Sequence, residues 1–381
     1  MNPITRSFHP WRTCATALTV LVALVQWPSD AYGLTYNYVG LSTLGGNVAW
    51  SSAINDSGSV VGSSFRTADR PFHAVRWNSG PPVDLGTLGG SYSSAYSING
   101  SGQIVGSSYT AGDASNHATL WNGISKIDLG GIGGYAFGNV AYSINNAGQV
   151  VGMSNFTEFG KLYSHATKWE SGVAMDLDTL GGTNSKAVAI NSSSMIVGSA
   201  HLVHDSATHA TKWLNGAPYD LGTLGGRDSV ALGLNDIGQI VGNSDTGSGG
   251  FRAVLWSGNS IVDLGTLGGT NSTAEDINNF GWIVGASNLI GNTASHATIW
   301  QGTVAKDLNM LLDISVAQAG WVLVDAFSIN DSGSITGTAV NSLTGLQQAY
   351  VLTVSSIPEP TVFALMFVGL ALIVTRRKLS V

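Results

Sequence analysis

The chain has 381 residues, 50 of them glycine, and only 10% are charged, a composition suited to short strands and turns rather than to long helices. Between residues 34 and 357, 11 Lys and Arg stand against 21 Asp and Glu, which argues against nucleic acid as a partner. Cys14 is the single cysteine, so no disulfide can form within the chain and cysteine usage says little about redox compartment.

At the N-terminus, Arg6 and Arg12 flank the start of an apolar segment that continues as CATALTVLVALVQW, and Ala31 and Gly33 supply small residues three and one before a cleavage point. This is the layout of a secretory signal peptide over residues 1–33, cleaved after Gly33, with an apolar run too short to span a bilayer comfortably. Cleavage would remove Cys14.

Three phrases then recur. DLGTLGG stands unchanged at Asp84, Asp220 and Asp263, with variants at Leu41 (LSTLGG), Asp128 (DLGGIGG), Asp176 (DLDTLGG) and Asp307 (DLNMLLD). The pattern I-N-x-x-G-x-x-V-G starts at Ile54, Ile98, Ile144, Ile190, Leu234, Ile277 and Ile329, at spacings of 44, 46, 46, 44, 43 and 52 residues. H-A-x-x-W opens at His73, His117, His165, His209 and His296, and fades to RAVLW at Arg252 and QAYVL at Gln348. Repetition from end to end describes one stacked or closed array rather than several domains.

In the second copy, SSAYSIN, GQIVGSS, HATLW and SKIDLGGI read as four strands, the last two joined by the hairpin-forming Asn122-Gly123, which gives 28 strands in all. Three residues before each Ile (or Leu234) stands Ala in six copies and Ser51 in the first, and one residue before stands Ala53, Ser97, Ser143, Ala189, Gly233, Asp276 or Ser328. Odd offsets place both on one small-residue face, so this strand belongs at the crowded centre of a radial array. Trp77, Trp121, Trp169, Trp213, Trp256 and Trp300 then fill the widening wedges between sheets. The chain enters with YNYVGLSTL, of the fourth-strand type, and leaves with QAYVLTV, of the third, so the first strand can complete the last sheet and remove its open edge. The expected fold is all-β, a seven-bladed β-propeller over residues 34–355. An open solenoid such as a parallel β-helix is the alternative, and would want dedicated caps.

From Leu41 to Leu352 these phrases resemble the HAF family of extracellular repeats. The chain departs from that wording in writing HAT where the third letter is usually Phe, and in losing the His at Arg252 and Gln348. The resemblance implies secretion and repetition; it brings no established activity.

The chemical candidates are weak. The glycine run would cradle phosphate only before a helix and beside a Lys, and it recurs with neither, so its glycines are expected to supply positive φ and close backbone passage. The repeated His are spread over different units and cannot converge on one ion; a strand-end hydrogen bond is expected for each. His201, His204 and Asp205 share one loop with His209 and leave a metal site open, with an ordinary polar loop the better reading. Asp56, Asp236 and Asp331 lack calcium-loop spacing and read as turn residues, and the series Asp84, Asp128, Asp176, Asp220, Asp263 and Asp307 is too regular to be a site. No catalytic, cofactor or metal residue is assigned. Catalysis would require asymmetry, and the irregular insertions at Asn155 (NFTEFGKLYSH) and Asn309 (NMLLDISVAQAGW) lack an acid, a base and a nucleophile together.

The last segment, 356–381, contains Pro358, Glu359 and Pro360, an apolar stretch readable as a short transmembrane helix, and a basic end at Arg376, Arg377 and Lys378 that the positive-inside rule keeps in the cytoplasm. Tripeptide, helix and basic stop together resemble the PEP-CTERM sorting signal of Gram-negative bacteria, whose tripeptide is recognised by an exosortase. That resemblance implies transient inner-membrane insertion, then delivery to the cell surface or extracellular matrix. Because such systems accompany exopolysaccharide and biofilm production, a matrix polysaccharide is the first candidate partner, contacted through the loops at 107–116, 155–164, 199–208 and 286–295. The expectation is a binding or structural protein without catalysis; a secreted lyase or hydrolase acting on polysaccharide is the alternative. An aromatic shelf would favour binding, and a unit-specific charged cluster would favour the enzyme.

Overall fold

The computed structural model describes residues 34–66, 71–134 and 137–355; the expected signal peptide with Gly33 and the sorting signal with Pro358, Glu359, Pro360, Arg376, Arg377 and Lys378 lie outside the described residues. The described chain is all-β: 28 strands, a few single turns of 3-10 helix and one five-residue helix, α1 (Ile314–Gln318). Among the described residues no helix is long and apolar enough to cross a membrane.

After β1 (Tyr36–Gly40), the chain builds an antiparallel sheet from β2 (Ala49–Ile54), β3 (Val60–Phe65), β4 (Phe72–Trp77) and β5 (Val83–Asp84), in that order. The next sheet repeats it with β6 (Gly89–Ile98), β7 (Ile104–Thr110), β8 (Asn116–Asn122) and β9 (Ser125–Asp128). The same plan recurs over 140–176, 181–220, 225–263, 268–307 and 321–354, and these seven segments are numbered units 1 to 7. Units 3 and 4 join into one eight-stranded sheet, but through a single parallel residue pair, Ser164 with Asn184. Unit 7 has three strands of its own, Trp321–Ile329, Ile335–Asn341 and Gln347–Val354, and takes β1 as its fourth, with Tyr36 opposite Val354 and Gly40 opposite Tyr350.

The first strand of every unit carries a β-bulge. Ala95 and Ser97 pair with the consecutive residues Gly106 and Val105, so Tyr96 is the extra residue. The bulged strand crowds its partner: a Cβ on Gly106 would overlap the Ser94 carbonyl, and the same overlap recurs at Gly62, Gly152, Gly198, Gly242, Gly285 and Gly337. This explains the invariant glycine that closes the second phrase. It also corrects the expected single small face. An inserted residue breaks the two-residue alternation, so Ala95 packs fully buried in the sheet-to-sheet seam while Ser97, two residues on, lines a cavity together with Tyr96.

Burial is organised by seams. Seven hydrophobic clusters each combine two consecutive units, for example Val61 and Ala74 of unit 1 with Ala95, Ile98, Ile104 and Trp121 of unit 2. One of them joins Ala349 of unit 7 to Ala49, Ile54 and Trp77 of unit 1. The six repeat tryptophans are 0–3% exposed and pack in the seams between sheets.

Polar groups fix the seams. Ser93 Oγ accepts from Ala74 N and donates to the Gly86 carbonyl, and Ser185, Ser229 and Ser272 repeat both bonds. Where Ala49 replaces this serine, the Trp77 indole donates to the equivalent carbonyl, that of Ser42. Behind the four serines, the buried indole N–H groups of Trp121, Trp213, Trp256 and Trp300 find no acceptor, since the hydroxyl has taken it.

In the glycine run, Thr87 Oγ1 accepts from Gly89 N and donates to the Gly90 carbonyl. Gly89 holds φ +106°, and a Cβ on Gly90 would press on the Thr110 carbonyl. Positive φ and close passage are thus both present, with no helix following.

Candidate functional site

The two most repeated polar residues meet each other. His73, His117, His165, His209 and His296 each place Nδ1 2.6–2.8 Å from the carboxylate eleven residues on, at Asp84, Asp128, Asp176, Asp220 and Asp307. The same carboxylates accept the turn N–H groups of Gly86, Gly130, Asp178, Gly222 and Asn309. In unit 5 Arg252 replaces the His and stands 3.8 Å from Asp263. Unit 7 loses both partners, with Gln348 beside Gly40. Each pair clamps the third strand of a unit to the turn leaving its fourth, so the expected strand-end hydrogen bond has the Asp series as its acceptor.

His201, His204 and Asp205 do not assemble a metal centre; among the described residues no group of three or more His, Cys, Asp or Glu is placed to hold an ion. Asp205 accepts from Thr183 N and from His201. Asp113 and Asn292 cap Ser91 N and Thr270 N at the equivalent places in units 2 and 6. His204 occupies the positive-φ position taken elsewhere by Gly112 and Gly291. The loop is architecture.

The Asn of the second phrase had no role in the sequence reading, and it proves central. Each side chain, 3–7% exposed, donates from Nδ2 to the main-chain carbonyl of the same Asn in the next unit: Asn55 to Asn99, then Asn145, Asn191, Asn235, Asn278 and Asn330, at 3.0–3.1 Å. Asn330 donates in turn to the Asn55 carbonyl at 2.9 Å. Each Oδ1 accepts a main-chain N–H four residues on, for example Gln103 N and Met195 N, which pins the turn.

Around this circuit lie two cavities. One, of about 220 Å³, is lined by the Ile, the Asn and the residue after it from all seven units. The other, of about 550 Å³, is lined by the bulge residues of all seven units, among them Ser52, Tyr96, Tyr142, Glu275 and Phe327, and by Trp50. Six units put Ser52, Tyr96, Tyr142, Val188, Leu232 and Phe327 at the bulge; unit 6 alone puts a carboxylate there, Glu275, followed by Asp276.

These acids are strongly perturbed. Glu275 is pushed up to about 7, first by burial and then by Asp325 and Asp276. Burial raises Asp276 to about 6, although Ile329 N, Ser328 Oγ and Ile277 N all donate to its carboxylate. Burial also raises Asp325. Both lining acids keep part of their surface open to the cavity while sitting deep in the protein. Of the lining rings, Tyr142 packs on Tyr96 with centroids 5.5 Å apart, and Lys186 Nζ lies 4.1 Å from the centre of the Tyr142 ring. The sequence reading missed this asymmetry, although aligning the seven phrases exposes Glu275 at once.

A second recess crosses the seam between units 1 and 2. Trp50, Phe65, Phe72, Tyr92 and Tyr109 line a cleft of about 430 Å³ that also borders Asp113. Their rings follow one another in that order with centroids 5.4, 6.1, 5.1 and 5.9 Å apart, and all five are half-buried. Trp50 lines both this cleft and the larger cavity. Of the loops expected to bind, 107–116 contributes Tyr109 and Asp113; the remaining rings lie on strands, Tyr92 in the same unit and Trp50, Phe65 and Phe72 in unit 1.

No family model matches the chain, and neither does any curated protein. Among solved structures, TolB from Acinetobacter baumannii is similar at a TM-score of 0.43 and 9% identity, over 78% of this chain. The match spans 64% of the TolB chain.

Proposed function

We propose that the chain is an exported, seven-bladed β-propeller that binds glycan on its surface and does not act on it chemically. The observation that carries the binding reading is the row of five aromatic rings in an open cleft. Neighbouring rings stand 55–75° to one another, so the cleft offers ring faces and edges in turn to the C–H groups of a sugar, with polar groups at the margins to fix orientation. The propeller reading is supported by the seven Asn hydrogen bonds, the last of which returns to the first Asn, and by the hydrophobic cluster between units 7 and 1. Export rests on the sequence of the two ends: cleavage after Gly33, and recognition of Pro358, Glu359 and Pro360 by an exosortase-type enzyme before Arg376, Arg377 and Lys378 stop transfer. Matrix exopolysaccharide is the partner this implies.

The test is co-sedimentation of the full-length protein with a panel of polysaccharides, following both binding and polymer length, beside Phe72→Ala and Tyr92→Ala. Saturable binding to intact polymer that both variants weaken is expected; binding indifferent to both variants would sink the reading. A second reading has its own observation, the Glu275 and Asp276 carboxylates in the cavity, since a carboxyl group kept protonated near neutrality is what a general acid needs. Shortened polymer, abolished by Glu275→Gln, would select that enzyme.

A further inference from the structure

The aromatic cleft and the acidic cavity meet at Trp50, which lines both. Building on the glycan-binding reading above, we propose that they form one site that takes an oligosaccharide bearing protonated amino groups, its rings stacked along the cleft and an ammonium held at Glu275 and Asp276.

Three observations carry this. Glu275 makes no hydrogen bond or ion pair with any described residue, whereas its neighbour Asp276 is fully engaged by Ile329 N, Ser328 Oγ and Ile277 N. A buried carboxylate without a partner is costly, and an ammonium removes that cost by charge-assisted hydrogen bonding. Charge is complementary at the far end too, where the exposed Asp113 closes the cleft. An anionic polymer would meet Asp113, Glu275 and Asp276, and a neutral one would leave Glu275 unanswered. At about 550 Å³ the cavity falls in the size range of small-ligand sites.

The experiment is calorimetric titration of the full-length protein with three β-linked oligomers of equal length, glucosamine, N-acetylglucosamine and glucose, at about pH 7, where the amine still carries part of its charge and Glu275 is about half ionised. The glucosamine oligomer is expected to bind on the order of tenfold more tightly than the other two. Glu275→Gln should erase that preference while leaving affinity for the neutral oligomers unchanged, and Trp50→Ala should weaken all three. Equal affinity for the three, or a preference that survives Glu275→Gln, would overturn the amino-sugar assignment while leaving glycan binding intact. Competition by a linear polyamine as effective as that of the glucosamine oligomer would overturn the joined site, since the rings would then contribute nothing. Failure of all three oligomers to bind would remove this proposal together with the glycan reading it rests on.

Discussion

Replacing Glu275 by Gln should stabilise the protein, and only above the pH at which the acid ionises. A folded-state value of about 7 against 4.5 for the free side chain means that the folded protein holds a proton the unfolded chain has released. Wild-type stability therefore falls as pH rises from about 4.5 through 7, and the loss is complete above that. At about 1.4 kcal/mol per pH step the full interval comes to about 3 kcal/mol. The opening of Glu275 onto the cavity screens part of this, so about 1–2 kcal/mol is the working figure, or about 2 °C in Tm for a body of this size. Asp276, raised to about 6, adds a smaller fall over a lower interval and is present in both proteins. Thermal unfolding of wild type and Glu275→Gln at pH 5 and pH 8 measures it: equal stability at the acid pH, and the variant more stable at the alkaline one. A difference that is the same at both pH values, or a wild type that gains stability with pH, would refute the burial argument.

Asn191→Ala removes the bond to the Asn235 carbonyl and those from Ser193 and Met195 N–H, leaving one buried carbonyl and two partly buried N–H groups unpaired, and should cost about 2–4 kcal/mol in urea unfolding. A cost under about 1 kcal/mol would mean that the circuit is incidental. Gly106→Ala drives a methyl into the Ser94 carbonyl and should lose at least about 3 kcal/mol or leave the protein insoluble; a soluble variant with unchanged Tm would contradict the bulge geometry. His117→Gln loses its 2.6 Å contact with Asp128, but the carboxylate is solvent-accessible, so a cost near or below about 1 kcal/mol is expected by the same unfolding measurement. A cost above about 3 kcal/mol would give this clamp a larger part than a strand end warrants.

The all-β plan of repeated four-stranded antiparallel sheets was legible because repetition averages away local ambiguity. Alternation, turn signals and the burial of Trp121 or Trp300 could each be read from one unit and checked against six more. The bulge escaped because alternation assumes an uninterrupted ladder, and nothing in SSAYSIN marks Tyr96 as an inserted residue; the signal was the recurring Gly106 of the next strand. The His and Asp series were judged separately, though their constant spacing, as in His117 and Asp128, could have paired them. The candidate site was harder to see for a different reason. Glu275 and Asp276 matter because they break the repeat, and attention to what recurs passes over them. The aromatic cleft joins Phe72 of one unit to Tyr92 of the next, a neighbourhood that no single repeat contains.

The pairing of β1 with the last strand has a mechanical consequence. The two strands are antiparallel with Tyr36 opposite Val354, and Ser355 N donates to the Thr35 carbonyl, so both ends of the described body leave from the same end of one strand pair. A load applied between residues 34 and 355 acts across the outermost rung and parts the pair one hydrogen bond at a time, from Tyr36 toward Gly40. Loaded that way, a ladder yields at low force, because no two rungs share the strain. The same adjacency lets a short linker join residue 355 to residue 34 and the chain be reopened between any two units, with every sheet still receiving its four strands.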